Sequence, residues 1–202
     1  MRKWWRWIAL LAAGAILAGG WWWTEADRRH AWPVLPVELG AVYRSGRLPP
    51  EQLALEIQKR NIQVVINLGS PAPEEAQLCR RLGIEYVELP VGDVWAMCGV
   101  PAPGQNDPAV ADLSSLWSFL QQAREQPVLI HCDGGVHRTG VAVAMYRIRF
   151  QGWDAEDAIR EMALFGFDIH KSKFAQVLEY LRRLEPGEAR RASTTGAHRA
   201  RR

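Results

Sequence analysis

The residue pattern predicts an α/β domain, a mainly parallel sheet flanked by helices on both faces, and three observations carry that reading. Short β-branched apolar runs, Val64-Val65-Ile66 and Val128-Leu129-Ile130, alternate with stretches of helical length and composition, the order that builds parallel sheets. Turn and cap residues punctuate the alternation: Pro49-Pro50-Glu51 suits a helix start and Gly83 a helix end. The second run also feeds a glycine-bearing loop, His131-Cys132-Asp133-Gly134-Gly135-Val136-His137-Arg138-Thr139-Gly140. That loop leaves the C-terminal end of a strand, where open α/β sheets bind their ligands. A chain of 202 residues, 48% of them hydrophobic, supplies one good core, hence one domain with appendages.

In order, the chain opens with Arg2, Lys3 and Arg6, followed by an apolar run over residues 7–20. Tryptophans stand at both ends of the run, Trp4, Trp5 and Trp7 before it and Trp21, Trp22 and Trp23 after it. About 20 apolar residues cross a bilayer, and tryptophans gather at its two interfaces, so residues 1–23 are expected to form a transmembrane helix that anchors the chain. The basic cluster keeps the N-terminus in the cytoplasm and exports the rest. A cleaved signal segment is the alternative, with Ala13, Ala15 and Ala18 as small residues for the cleavage region. Residues 24–41, charged and then carrying Pro33 and Pro36, read as a linker, and the domain is expected over 42–185.

Within it, a helix runs from Pro50 to about residue 60, a buried strand covers 64–66, a helix 74–82 and a strand 85–90. Residues 92–107 read as a long loop with two acids, Asp93 and Asp107, and such loops in compact domains are functional or mobile. A helix over 113–124 leads through Pro127 into the strand at 128–130. Another follows the glycine-bearing loop from Thr139 to about residue 150, Asp154 caps the next to about residue 165, and a last helix covers 172–184. Residues 186–202, rich in Arg, Ala, Ser and Thr, lack apolar periodicity and read as a disordered basic tail.

The loop carries the chemistry. It precedes an apolar helix, and at a helix N-terminus unpaired N–H groups and the positive dipole end favour an anion. Gly134 and Gly135 permit a tight curl that turns backbone N–H groups of the stretch Asp133, Gly134, Gly135, Val136, His137 and Arg138 toward one centre, a phosphate-binding arrangement. The same field favours the thiolate of Cys132, a nucleophile. Arg138 offers a planar fork for two phosphoryl oxygens, Thr139 is placed to donate its hydroxyl to a departing sulfur, and His131 to orient the loop from the strand.

His131-Cys132, Gly135 and Arg138-Thr139-Gly140 resemble the Cys-x5-Arg signature of the protein tyrosine and dual-specificity phosphatases at every defining position. The resemblance extends from about residue 42 to 184. Within it Val42-Tyr43-Arg44-Ser45-Gly46, and Met145-Tyr146-Arg147-Ile148 with Gln151-Gly152-Trp153, are similar to the small periplasmic dual-specificity phosphatases of Gram-negative bacteria. The resemblance implies a dual-specificity phosphatase-like fold on a periplasmic domain, and hydrolysis of phosphomonoesters through a phosphocysteine at Cys132, without cofactor or metal. It also implies a general acid, an Asp on a mobile loop past the preceding strand. Asp93 follows strand 85–90 at once and is favoured; Asp107, nearer Cys132 in sequence, is the alternative. Inositol-phosphate and phosphoinositide members often carry a basic residue where Asp133 stands. An acid there is expected to repel heavily charged substrates and favour phosphotyrosine in a protein, or a singly phosphorylated lipid or small molecule. His137 either sets charge beside Arg138 or is a surface side chain. Arg44 either reaches the site or, the favoured reading, forms a structural ion pair.

Charge excludes one class of partner. Of 25 Lys+Arg and 22 Asp+Glu, residues 1–30 hold five and two and residues 186–202 five and one, leaving 15 against 19 between them. The domain is mildly acidic, and a nucleic-acid partner needs clustered cations. Cys79, Cys98 and Cys132 show neither a C-x-x-C pair nor zinc spacing; Cys79 and Cys98 either pair with each other or stand as small hydrophobes. Two other classes of function stay open: a catalytically silent phosphate-binding module, against which the intact Cys132, Arg138 and Thr139 speak, and rhodanese-type sulfur transfer, against which Arg138-Thr139-Gly140 opening a helix speaks.

Overall fold

Five four-residue strands form the sheet: β1 Leu35–Glu38, β2 Val42–Ser45, β3 Val64–Asn67, β4 Glu85–Glu88 and β5 Val128–His131, in the order β1-β2-β5-β3-β4. The computed structural model describes residues 32–89, 91–104, 114–122 and 125–184. Met1–Ala31 and Trp32–Arg202 form separate units, and every described residue belongs to the second. The expected anchor at 1–23, Asp107 and the tail at 186–202 lie outside the described residues. Among the described residues no helix is long and apolar enough to cross a membrane.

β2, β3, β4 and β5 run parallel, and only the edge strand β1 is antiparallel to its neighbour. β2, β3 and β5 are buried along their whole length, as continuous apolar runs require of strands covered on both faces. On one face lie α1 (Pro50–Arg60) and α2 (Pro73–Leu82), whose Leu53, Ile57, Leu78 and Cys79 pack on Tyr43, Val65 and Leu129. The other face carries α3 (Val94–Cys98), α4 (Ser114–Gln122), α5 (His137–Gln151), α6 (Ala155–Leu164), a 3-10 turn at Ser172–Phe174 and α7 (Ala175–Arg183). Every residue of α5 from Thr139 to Ile148 is buried, the reason this stretch is apolar all round rather than on one stripe. Asn61, Gly83 and Gly152 end α1, α2 and α5 in the left-handed conformation, and Asp154 caps α6 by accepting from the Glu156 N–H at 2.8 Å.

Three expectations change. The stretch read as a linker is, from Trp32 onward, part of the domain: β1 pairs with β2, and Val34 and Val37 are 5% and 7% exposed. Pro36 misled because a proline is tolerated on an edge strand, where one side of the backbone has no ladder to join. The long loop at 92–107 contains α3, too short for helical periodicity to register. Cys79 packs under α2 and Cys98 on the opposite face of the sheet, and both are free, so they do not pair.

The motif residues after the catalytic loop prove architectural. Arg147 binds Glu161 through two nitrogens at 3.0 and 2.6 Å, Gln151 at 2.6 Å and the Val37 carbonyl at 2.7 Å, and lies over Trp153. Tyr146 donates to Glu38 at 2.6 Å. Together they tie β1 and α6 to α5.

Candidate active site

β5 sits between β2 and β3, so the loop that leaves it lies against the loops that leave both neighbours. Three successive carbonyls of that loop are held from outside. Asp133 O accepts from the Arg47 N–H at 3.0 Å, Gly134 O from the Trp32 N–H at 3.5 Å, and Gly135 O from Arg44 Nη2 at 2.9 Å. In a trans peptide the next residue's N–H points opposite to the carbonyl, so the N–H groups of Gly134, Gly135 and Val136 turn to the inner side. The Gly135 N–H shows the outcome directly, donating to Cys132 Sγ at 3.3 Å. Cys132 is 3% exposed, and the loop closes into α5, whose first turn adds the positive end of its dipole.

Of the two glycines that the curl was expected to need, one is indispensable. Gly135 has φ +73°, and a Cβ there would stand 2.5 Å from Gly46 N and 2.7 Å from the Ser45 carbonyl. Gly134 has no such conformation, and a Cβ would meet nothing within 4 Å.

The guanidinium of Arg138 reaches Asp133, Nη2 to Oδ2, at 2.6 Å. Asp133 is also held by Arg47 at 2.8 Å and by the Ser70 N–H and hydroxyl. Partial burial works against ionisation of Asp133, yet the Ser70 hydrogen bond and the charges of Arg47 and Arg138 outweigh it and hold the carboxyl below the ordinary Asp range. Asp133 is a brace between two arginines, a role the sequence reading did not assign to it. Arg138 keeps most of its five N–H donors for a ligand.

Arg44 corrects an expectation. No ion pair holds it among the described residues. It is 1% exposed, stacks 3.7 Å over the Phe165 ring and leaves Nε and Nη1 without hydrogen-bond partners. Burial is the main reason its guanidinium is pushed down to about 10, with Cys132 and Glu161 acting the other way.

Beside the loop a cleft of about 250 Å³ is lined by Gly92, Asp93, Val94 and Trp95 from one side and His137, Arg138, Lys173 and Phe174 from the other. Asp93 and Arg138 therefore share one opening. Asp93 caps α3 through Oδ1, which accepts from the Trp95 and Ala96 N–H groups at 3.0 and 3.1 Å. His137 is exposed, as one of its two readings expects, and its ring tilts against Phe167 and Phe174. Desolvation of the ring first, then Lys173, Lys171 and Arg138, lowers its pKa and keeps it neutral near pH 7. The Thr139 hydroxyl is fully buried with no hydrogen-bond partner. His131 Nε2 lies 2.7 Å from Glu75 Oε1 on α2, both buried, and its carbonyl accepts from the Leu68 N–H at 2.8 Å, which fixes the strand end beneath Cys132.

Residues 49–184 match the family described as dual specificity phosphatase, catalytic domain. The chain belongs to the dual specificity phosphatase family. It is 33% identical over 175 residues to the dual specificity protein phosphatase TpbA of Pseudomonas aeruginosa, covering 80% of this chain and 73% of TpbA. It is 30% identical over 132 residues to the human phosphatidylglycerophosphatase and protein-tyrosine phosphatase 1, covering 62% of this chain and 61% of the relative. A crystal structure of TpbA superposes with a TM-score of 0.53 at 26% identity over 75% of this chain and 88% of that one. A Cys-to-Ser TpbA in complex with phosphotyrosine gives 0.52 at 26% identity over 74% and 87%. The protein is thus a Cys-dependent protein tyrosine/dual-specificity phosphatase, a hydrolase with the α/β fold of that family.

Among the phosphatase's cysteines only Cys132 lies in the anion-binding loop. Burial pushes the Cys79 thiol up to about 11 and the Cys98 thiol up to about 12, which leaves both inert at neutral pH. Sequence reasoning missed Arg47, Ser70 and Trp32, which brace the loop, and Trp95, Lys173 and Phe174, which line the cleft. Apart from Trp95, no local signal marks them, because each reaches the site from a segment distant in sequence from the loop. The one usable hint was Trp95, an aromatic two residues past a candidate acid.

Proposed function

We propose that this phosphatase hydrolyses phosphotyrosine in proteins, from a catalytic domain tethered on the periplasmic side of the membrane by residues 1–23. The observation that carries the chemistry is the ring of outward-bonded carbonyls around Cys132, with Asp93 and Arg138 on one adjoining cleft. The Cys132 thiolate attacks phosphorus, forming an S–P bond as the P–O bond to tyrosine breaks. Asp93 passes its proton to the departing oxygen. The inward N–H groups of Gly134, Gly135 and Val136, together with Arg138, hold the three phosphoryl oxygens throughout. Water then attacks the phosphocysteine, Asp93 takes the proton, and the S–P bond breaks to release inorganic phosphate, with the Thr139 hydroxyl donating to the sulfur as it leaves. The phosphotyrosine complex of TpbA supports the substrate class. The name of the human relative supports a second reading, a lipid phosphomonoester.

Cys132→Ser tests the core of this reading. It should lose turnover of p-nitrophenyl phosphate and still bind vanadate, because the N–H ring and Arg138 remain; retained turnover would remove covalent cysteine catalysis. The location rests on Arg2, Lys3 and Arg6 ahead of an apolar run bounded by tryptophans. An alkaline phosphatase reporter fused after Arg202 should be active, and an inactive reporter would reverse the orientation.

A further inference from the structure

The cleft beside Arg138 has an aromatic wall that is built rather than incidental. The Trp95 indole stacks on Phe174, centroids 5.4 Å apart at 19°, and its Nε1–H donates to the Lys173 carbonyl at 3.0 Å. One hydrogen bond therefore fixes both the ring and the backbone that carries Lys173. The Lys173 ammonium lies 4.9 Å from the centroid of Phe174 and makes no ion pair among the described residues.

The charge around this opening is uneven. Asp133 is taken up by Arg47 and Arg138, Lys171 by Asp168 at 3.3 Å, and Asp93 by the cap of α3. Of the two cations that line the cleft, Arg138 is paired with Asp133 and Lys173 makes no ion pair among the described residues. His137, facing the same cleft, feels a positive surplus, since Lys173, Lys171 and Arg138 all act on it in one sense.

Building on the phosphotyrosine reading above, we propose that this cleft is a subsite for the group beyond the phosphate, in which the half-buried Trp95 indole, backed by the buried Phe174 ring, lies against the tyrosine ring and Lys173 receives a carboxylate. The preferred substrate is then a phosphotyrosine next to Asp or Glu. A flat ring matches the stacked wall, and a carboxylate supplies the charge that Lys173 lacks. A lipid headgroup offers an anion to Lys173 but no ring to the wall.

The test compares kcat/KM on three phosphotyrosine peptides that differ only in flanking residues, Glu, Gln or Lys, for the full-length protein and its Lys173→Met and Lys173→Glu variants. An exposed charge pair makes the Glu peptide better than the Gln peptide by about two- to fivefold at low salt, with the Lys peptide worst. The preference should vanish in Lys173→Met, reverse in Lys173→Glu and fade in high salt. Brisk phosphotyrosine turnover that ignores the flanks, or an order unchanged in Lys173→Glu, overturns the subsite alone. Hydrolysis of p-nitrophenyl phosphate with none of any peptide overturns the phosphotyrosine reading, and the subsite with it. A phosphomonoester lipid in vesicles that outpaces every peptide and loses rate in Lys173→Glu overturns the peptide in favour of the lipid.

Discussion

On the flank of the catalytic loop that faces β2 and β3, cations and acid are spent on the loop itself: Arg44 on the Gly135 carbonyl, Arg47 on Asp133, and Asp133 in turn on Arg138 and Ser70. On the flank that faces α3 and the 3-10 turn, Asp93 and Lys173 line an open cleft with rings between them. The first flank is a frame that forces N–H groups inward before any ligand arrives, which is what preorganised anion stabilisation requires. The second is a receptive face. A change in the frame should damage fold and chemistry together, whereas a change on the receptive face should damage chemistry and spare the fold.

The largest effect expected is in the frame. Gly135→Ala adds a methyl into backbone of β2 at a left-handed position, which should destabilise by at least about 3 kcal/mol and lower Tm by roughly 10 °C in a domain of this size, with turnover lost. Thermal melts followed by circular dichroism read it. An active variant with wild-type Tm would mean that the frame is not rigid.

Next comes the receptive face. Asp93→Asn should lower kcat on an aryl phosphate by about 10²- to 10⁴-fold and remove the alkaline limb of its pH profile, more severely on an alkyl phosphate. Because asparagine caps helices as well as aspartate does, Tm should hold. A flattened profile in Asp107→Asn instead would move the acid to the other end of that segment.

Asp133→Asn tests the frame more gently, lowering kcat by about two- to fivefold as Arg138 loses its anchor, within the range of partly exposed ion pairs. Its stability effect has a definite sign. The folded carboxyl lies below its ordinary 3.8, so the native state favours the ionised form. That contribution is present above about pH 4 and is lost as pH falls through the lower, folded value. Wild type should therefore lose Tm more steeply than Asp133→Asn on acidification below pH 4, and parallel curves would show that the carboxylate is not braced. The smallest effect belongs to Gly134→Ala, whose Cβ meets open space. Stability should stay within about 0.5 kcal/mol; a loss as large as that of Gly135→Ala would break the distinction between the two glycines.

The α/β class, the two central strands, α5 and the Cys132-to-Arg138 signature were legible along the chain because each is local. A β-branched run, a cap residue or a seven-residue loop carries its physics within a few neighbours. Roles set by distant partners were not legible. Arg44 reads as a candidate for an ion pair until the sheet order places β2 beside β5, and only then does its guanidinium reach Gly135, 91 residues away. Asp133 reads as a free acid until Arg47 and Ser70 arrive from the ends of β2 and β3. Residues 32–41 read as a linker until β1 is seen to add an edge to β2. Local pattern determined which groups this protein has for its chemistry. Tertiary structure decided which of them hold the loop and which face the substrate, because that choice depends on which chain ends the parallel sheet brings together around β5, and no short stretch of sequence contains it.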